Sequence, residues 1–127
     1  MARILVVEDN ALNIKLFCDL LTAHGHDARP VTDSRLALDV AREFRPELVI
    51  TDIQLPYVSG VELIRMIRAE EAMAEVPIMA VTAYAGNGDD ERIRAAGAQS
   101  YVSKPISVVR FVQEVTALLE AREKVAN

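Results

Sequence analysis

Apolar positions along this chain change their spacing several times. Ile4–Val7, Leu48–Thr51 and Ile78–Val81 are short, nearly unbroken apolar runs of strand length, the pattern of strands covered on both faces. Tyr101–Val102 and a weaker Asp27–Val31 are two further strand candidates. Between them the apolar residues recur at helical spacing. Leu16, Phe17, Leu20 and Leu21 share one face of a first helix, and Gly25 provides its stop. A second helix starts near Asp33-Ser34, good capping residues, and buries Ala37, Val40, Ala41 and Phe44. A third follows Gly60 with Leu63, Ile64 and Ile67. The fourth opens on Asp89-Asp90-Glu91, acids that suit a helix N-terminus, and stops at Gly97. The fifth, capped by Ser107, has the cleanest stripe: Phe111, Val112, Val115, Leu118 and Leu119. No repeat, linker or low-complexity tract interrupts the alternation. It predicts an α/β fold, a doubly wound, five-stranded parallel sheet with helices on both faces. The expected organisation is one domain over residues 1–127 with no output domain.

In such sheets, chemistry collects at the carboxyl ends of the strands. Those ends carry Glu8-Asp9, Asp52, Thr82 and Lys104. A buried strand does not end in a charge without a reason, and three carboxylates at one edge repel unless a cation holds them. The pattern proposes a divalent-cation site with one carboxylate left to react. Mg²⁺ takes oxygen ligands and keeps several waters. Asp9 is the best direct ligand, Glu8 acts directly or through water, Asp52 adds an oxygen, and the backbone carbonyl of Gln54 adds another. A carboxylate is also a competent nucleophile toward an activated phosphoryl group. That transfer needs positioning and charge neutralisation, for which Mg²⁺, Lys104 and the Thr82 hydroxyl each cover one phosphoryl oxygen.

Taken singly, these residues have plainer readings: a solvated turn at Glu8-Asp9, a helix cap at Asp52, a β-branched filler at Thr82, a surface lysine at Lys104. Their convergence on one rim outweighs those readings. Pro105 makes the bond after Lys104 a candidate cis peptide. Asn13, just past the acidic loop, either hydrogen-bonds the loop that presents Asp9 or satisfies local backbone. His24 and His26 flank Gly25 as surface residues.

Composition narrows the function further. The 127 residues are 51% hydrophobic, long enough for a real core and too apolar for disorder. A net charge of -5 argues against nucleic-acid binding. Cys18 is the single cysteine, so no internal disulfide forms and a reducing compartment is expected; it reads as a small semi-buried hydrophobe. No signal peptide or spanning segment is visible, which places the protein in the cytoplasm without membrane insertion. The loop Glu8–Asn13 is acidic and lacks glycine. It therefore fails the first requirement of a dinucleotide or P-loop phosphate cradle.

Four segments together, Val7-Glu8-Asp9-Asn10, Asp52–Pro56 with Ser59-Gly60, Val81-Thr82-Ala83 and Ser103-Lys104-Pro105, resemble the receiver domain of two-component response regulators along essentially the whole chain. The resemblance implies the flavodoxin-like strand order 2-1-3-4-5. It also implies Asp52 as phospho-acceptor, Glu8 and Asp9 as Mg²⁺ ligands, and Thr82 and Lys104 as phosphoryl contacts. Tyr101 is then the aromatic that turns inward as Thr82 moves. Leu12-Asn13, Lys15-Leu16-Phe17, Gly88–Arg94 and Lys104–Val108 resemble single-domain members that act in cell-cycle or polarity control. Such a protein is a switch rather than an enzyme, with at most slow autodephosphorylation. Its partners are the dimerisation domain of a histidine kinase or phosphatase and a downstream protein that meets the fourth helix, fifth strand and fifth helix. Gly86-Asn87-Gly88 should leave the loop after Thr82 free to move.

Two rivals remain. A Mg²⁺-dependent phosphatase or phosphotransferase of the aspartyl-phosphate type needs a second acid–base aspartate near the nucleophile, where Gln54 stands, and a substrate cap that the chain does not contain. A partner-binding domain with a vestigial acidic site would not need the complete residue set.

Overall fold

The computed structural model describes residues 2–83 and 89–126, with side chains over 2–83 and 90–122. Its strands are β1 (Arg3–Val7), β2 (Asp27–Val31), β3 (Leu48–Asp52), β4 (Ile78–Thr82) and β5 (Ser100–Ser103). The helices are α1 (Ala11–Ala23), α2 (Ala37–Phe44), α3 (Gly60–Ala69), α4 (Asp89–Ala96) and α5 (Val108–Ala126). All strand pairs are parallel, in the order β2-β1-β3-β4-β5.

The alternation inside each apolar run sorts residues onto two cores. Leu5, Val7, Val49, Ile78 and Ala80 point to one face, where Ala37, Ala41, Leu63, Ile64, Ile67 and Ile93 from α2, α3 and α4 cover them. Ile4, Val6, Leu48, Ile50, Met79 and Val81 point to the other, under Phe17 and Leu21 of α1 and Phe111 and Val115 of α5. Phe17 and Phe111 stack with centroids 4.9 Å apart, joining the two helices of that layer. Each of the three central strands is thus apolar on both sides, which is why its run is unbroken. β2 is weaker because it is an edge strand, mostly exposed and interrupted by Pro30, which an edge tolerates.

Local signals set the helix ends. Asn10 caps α1, its side chain accepting from the Asn13 N–H at 3.0 Å, and Ser59 caps α3 through the Glu62 N–H. Gly25 follows α1 with φ +83°, a left-handed conformation that a side chain would resist. One start differs from expectation. Asp33 and Ser34 open a 3-10 turn, Ser34–Leu36, and α2 begins only at Ala37. Asp33 accepts from the Arg35 N–H, but the Ser34 hydroxyl is drawn elsewhere. A second 3-10 turn, Glu71–Met73, carries no sequence expectation.

Candidate functional site

Register places the site. Val7 pairs with Thr51, so the residues that follow, Glu8 and Asp52, come side by side as β1 and β3 end. Asp52 pairs with Val81, and Thr82 with Ser103, which sets Thr82 and Lys104 on the same edge. The Lys104 N–H donates to the Thr82 carbonyl at 2.8 Å, extending the ladder one step past β5. The Lys104–Pro105 peptide is cis.

Carboxylate oxygens of Glu8, Asp9 and Asp52 lie within 4.8 Å of one another. Glu8 is 1% exposed and Asp52 3%, whereas Asp9 is open to solvent. The Lys104 Nζ donates to Asp52 Oδ2 at 2.8 Å and lies 3.7 Å from Glu8 Oε2. Asp52 Oδ1 accepts from the Gln54 N–H at 3.0 Å. Both acceptor oxygens are therefore held in place. Glu8 Oε1 accepts from the Asn10 N–H at 3.1 Å, but its Oε2 is buried without a hydrogen-bond donor.

That orphaned oxygen sets the electrostatics. Burial, and then the neighbouring Asp52 charge, pushes the Glu8 carboxyl up to about 7. For Lys104, burial is the largest influence and acts downward. The Asp52 hydrogen bond and the charges of Asp52, Glu8 and Asp9 outweigh it, so the ammonium is held above its ordinary range. Among the described residues, two buried carboxylates and an exposed one share a single ammonium, that of Lys104. An all-oxygen donor set with an unpaired buried lone pair fits a hard divalent cation such as Mg²⁺.

Gly60 explains how the turn after β3 closes on Asp52. Its N–H donates to the Ile53 carbonyl at 2.9 Å. A Cβ there would lie 2.2 Å from the Asp52 carbonyl oxygen and 2.6 Å from Ile53 Cα. Only a residue without a side chain allows that approach.

The sequence-predicted residues Glu8, Asp9, Asp52 and Lys104 thus meet at one notch. Thr82 is fully buried at the end of β4. Tyr101 is half-buried against the α2/α3/α4 core, with the Arg94 guanidinium 5.4 Å from its ring centroid. Gly86-Asn87-Gly88 lies outside the described residues. Among the described residues no hydrogen bond of the Asn13 side chain is found; the Asn10 side chain caps the helix by accepting from the Asn13 N–H. Cys18 is half-buried, and burial pushes its thiol up, in keeping with a packing role.

Ser34 was not legible as part of this region. Its hydroxyl donates to the Pro56 carbonyl at 2.7 Å and accepts from the Val58 N–H at 3.1 Å, in the loop between β3 and α3. No local signal could have linked residues so far apart in sequence.

Over residues 4–116 the chain matches the response regulator receiver domain. The polar-differentiation response regulator DivK of Brucella anthropi is 47% identical over 116 residues, covering 91% of this chain and 94% of that protein. Among solved structures, a receiver domain of the sensor histidine kinase PA1611 from Pseudomonas aeruginosa PAO1 is 32% identical with a TM-score of 0.86, covering 94% of this chain and 98% of that one. That domain is described with a magnesium ion coordinated in its active-site cleft. The chemotaxis protein CheY4 of Vibrio cholerae, 23% identical, shares the fold with a TM-score of 0.88 over 93% of this chain and 98% of that one.

Proposed function

The chain belongs to the response regulator receiver domain family, and from that premise we propose that it is a phospho-accepting signalling switch with Asp52 as acceptor. The observation that carries this reading is the notch itself: a buried aspartate 2.8 Å from a lysine ammonium, beside two further carboxylates, one with a buried oxygen that accepts no hydrogen bond among the described residues.

A carboxylate oxygen of Asp52 attacks the phosphorus of a phosphohistidine on a histidine kinase. An O–P bond forms, the N–P bond breaks, and the imidazole leaves as a neutral group once it takes a proton. Glu8, Asp9, Asp52 and the backbone carbonyl of Gln54 would hold Mg²⁺, which would supply neutralisation of phosphoryl oxygen charge. Gln54 N–H and Lys104 orient Asp52 beforehand, so little reorganisation remains at the moment of transfer.

The product brings about −1.5 to −2 charges and three acceptor oxygens into the notch. Two charge-assisted contacts, from Thr82 and Lys104, are worth about 3–6 kcal/mol together. Moving a two-state equilibrium from about 1:99 to 99:1 takes about 5.5 kcal/mol. Lys104 already bonds Asp52, so on phosphorylation it exchanges one acceptor for another and adds less than its full share. The switch then depends on Thr82, with a bound partner supplying the remainder. Thr82 moves toward the phosphoryl group and Tyr101 turns inward, altering the surface of α4, β5 and α5 that a downstream protein reads.

By its likeness to the polar-differentiation regulator, this chain acts in cell-cycle or polarity control. Among the described residues no helix is long and apolar enough to cross a membrane. The test is direct. The protein and its Asp52→Asn variant are incubated with Mg²⁺ and acetyl phosphate, and both are weighed intact. The parent should gain one labile phosphoryl group and the variant none. Equal labelling of both would reject Asp52 as acceptor, and continuous release of inorganic phosphate at enzymatic rates would favour a phosphatase.

A further inference from the structure

Three consecutive residues on one side of the notch act on the loop that runs out of it. Ser34, 3% exposed, spends both the donor and an acceptor position of its hydroxyl on the loop backbone, at Pro56 O and Val58 N. Between those two contacts lies Tyr57, whose φ of +71° is left-handed, a conformation that a bulky aromatic residue resists. Tyr57 is 70% exposed, so core packing does not hold it there. Instead the Arg35 guanidinium lies 3.7 Å from its centroid. Asp33 fixes that guanidinium with two bonds, Nε to Oδ1 at 3.0 Å and Nη2 to Oδ2 at 2.9 Å.

The loop so clamped is short and consequential. Asp52 and Gln54 stand at its start, tied by the Gln54 N–H, and Gly60 closes its end onto Ile53 O. Its middle, at Tyr57, is held by the two Ser34 bonds on the backbone and by the Arg35 guanidinium on the ring.

Resting on the proposed function, we propose that Ser34 is a positioning residue for the cation and phosphoryl site. It holds Tyr57 left-handed, and through Tyr57 it keeps the Gln54 backbone in the place from which its carbonyl meets Mg²⁺. Groups that orient ligands without touching the metal commonly change affinity by about 10–100-fold when lost. Ser34 meets the loop two peptides past the Gln54 carbonyl, at Pro56 O, so the low end, about tenfold, is expected.

The experiment measures Mg²⁺ affinity by calorimetric titration for the parent, Ser34→Ala, Tyr57→Gly and the double variant. Urea unfolding and amide hydrogen exchange are recorded on the same proteins. Ser34→Ala should weaken Mg²⁺ binding about tenfold and remove exchange protection at the Val58 N–H with no metal present. Glycine takes a positive φ at no steric cost, so Tyr57→Gly added to Ser34→Ala should recover most of the affinity without restoring Val58 protection. Urea unfolding of the same four proteins separates positioning from a general loss of stability, because the affinity should recover in the double variant whether or not the unfolding free energy does. If Ser34→Ala does not fold, Ser34→Cys keeps the volume and weakens both bonds, and the same comparison applies.

A parent that binds Mg²⁺ and accepts phosphate beside a Ser34→Ala variant with unchanged affinity overturns the positioning role and leaves the proposed function standing. So does an affinity loss that Tyr57→Gly fails to recover. A parent that does not bind Mg²⁺ overturns both, since nothing is then positioned.

Discussion

Glu8 is a buried carboxylate whose charge the fold does not fully compensate, and Glu8→Gln isolates what that charge costs. The carboxyl is raised from its ordinary 4.5 to about 7, first by burial and then by Asp52. The gap of about 2.5 pH units, at about 1.36 kcal/mol each, comes to about 3 kcal/mol. Because the folded value lies above the unfolded one, the folded state holds the proton more tightly. The associated stability is fully present below pH 4.5 and is lost as pH rises through 7. Glutamine keeps an oxygen to accept the Asn10 N–H and carries no charge to lose. In metal-free buffer with a chelator, urea unfolding should show the parent losing up to about 3 kcal/mol relative to Glu8→Gln between pH 4.5 and 8. The two proteins should agree within about 0.5 kcal/mol at the acid end. His26, whose imidazole burial holds below its ordinary 6.5, produces the opposite slope, but it is common to both and cancels in the difference. Mg²⁺ should close that gap and then reverse it. At a hundredfold excess over Kd it stabilises the parent by about 2.7 kcal/mol, and at a thousandfold excess by about 4.1 kcal/mol, leaving the variant nearly untouched. A parent that outlasts Glu8→Gln at pH 8 without metal would refute the account of the notch as an uncompensated carboxylate cluster.

Three further outcomes follow from the same geometry. Lys104→Met removes the 2.8 Å partner of Asp52, so urea unfolding should show a loss of about 1–3 kcal/mol without metal. Its Mg²⁺ affinity should rise, because a competing ammonium is gone; weaker binding would contradict this. Gly60→Ala forces a Cβ against the Asp52 carbonyl oxygen at 2.2 Å, and the required backbone shift should destabilise the fold by about 1–3 kcal/mol or more. It should also slow labelling by acetyl phosphate, and a variant that folds and labels like the parent would show that the turn is not constrained there. Tyr101→Ala, losing the ring that lies under Arg94, should still accept phosphate while its phosphorylation-dependent partner binding falls. Unchanged partner binding would remove Tyr101 from the switch.

Residue periodicity alone was enough for the five strands, the five helices and the strand-end acids, because both cores are built from uninterrupted local patterns. Val49 and Ile50 turn to opposite faces, yet both are buried, so the run Leu48–Thr51 announces a central strand without reference to anything else in the chain. Asp52 at the end of that run was conspicuous for the same reason. Local pattern failed where a residue's partner lies far along the chain. Ser34 reads as a helix cap because capping is the commonest use of serine before an apolar stripe, but its hydroxyl serves Pro56 and Val58. That Glu8 Oε2 accepts no hydrogen bond among the described residues is likewise a product of register, since pairing Val7 with Thr51 decides which carboxylates are crowded together. Spacing along a chain specifies which faces are apolar; the distances among charged groups from separate strands exist only once those faces have packed.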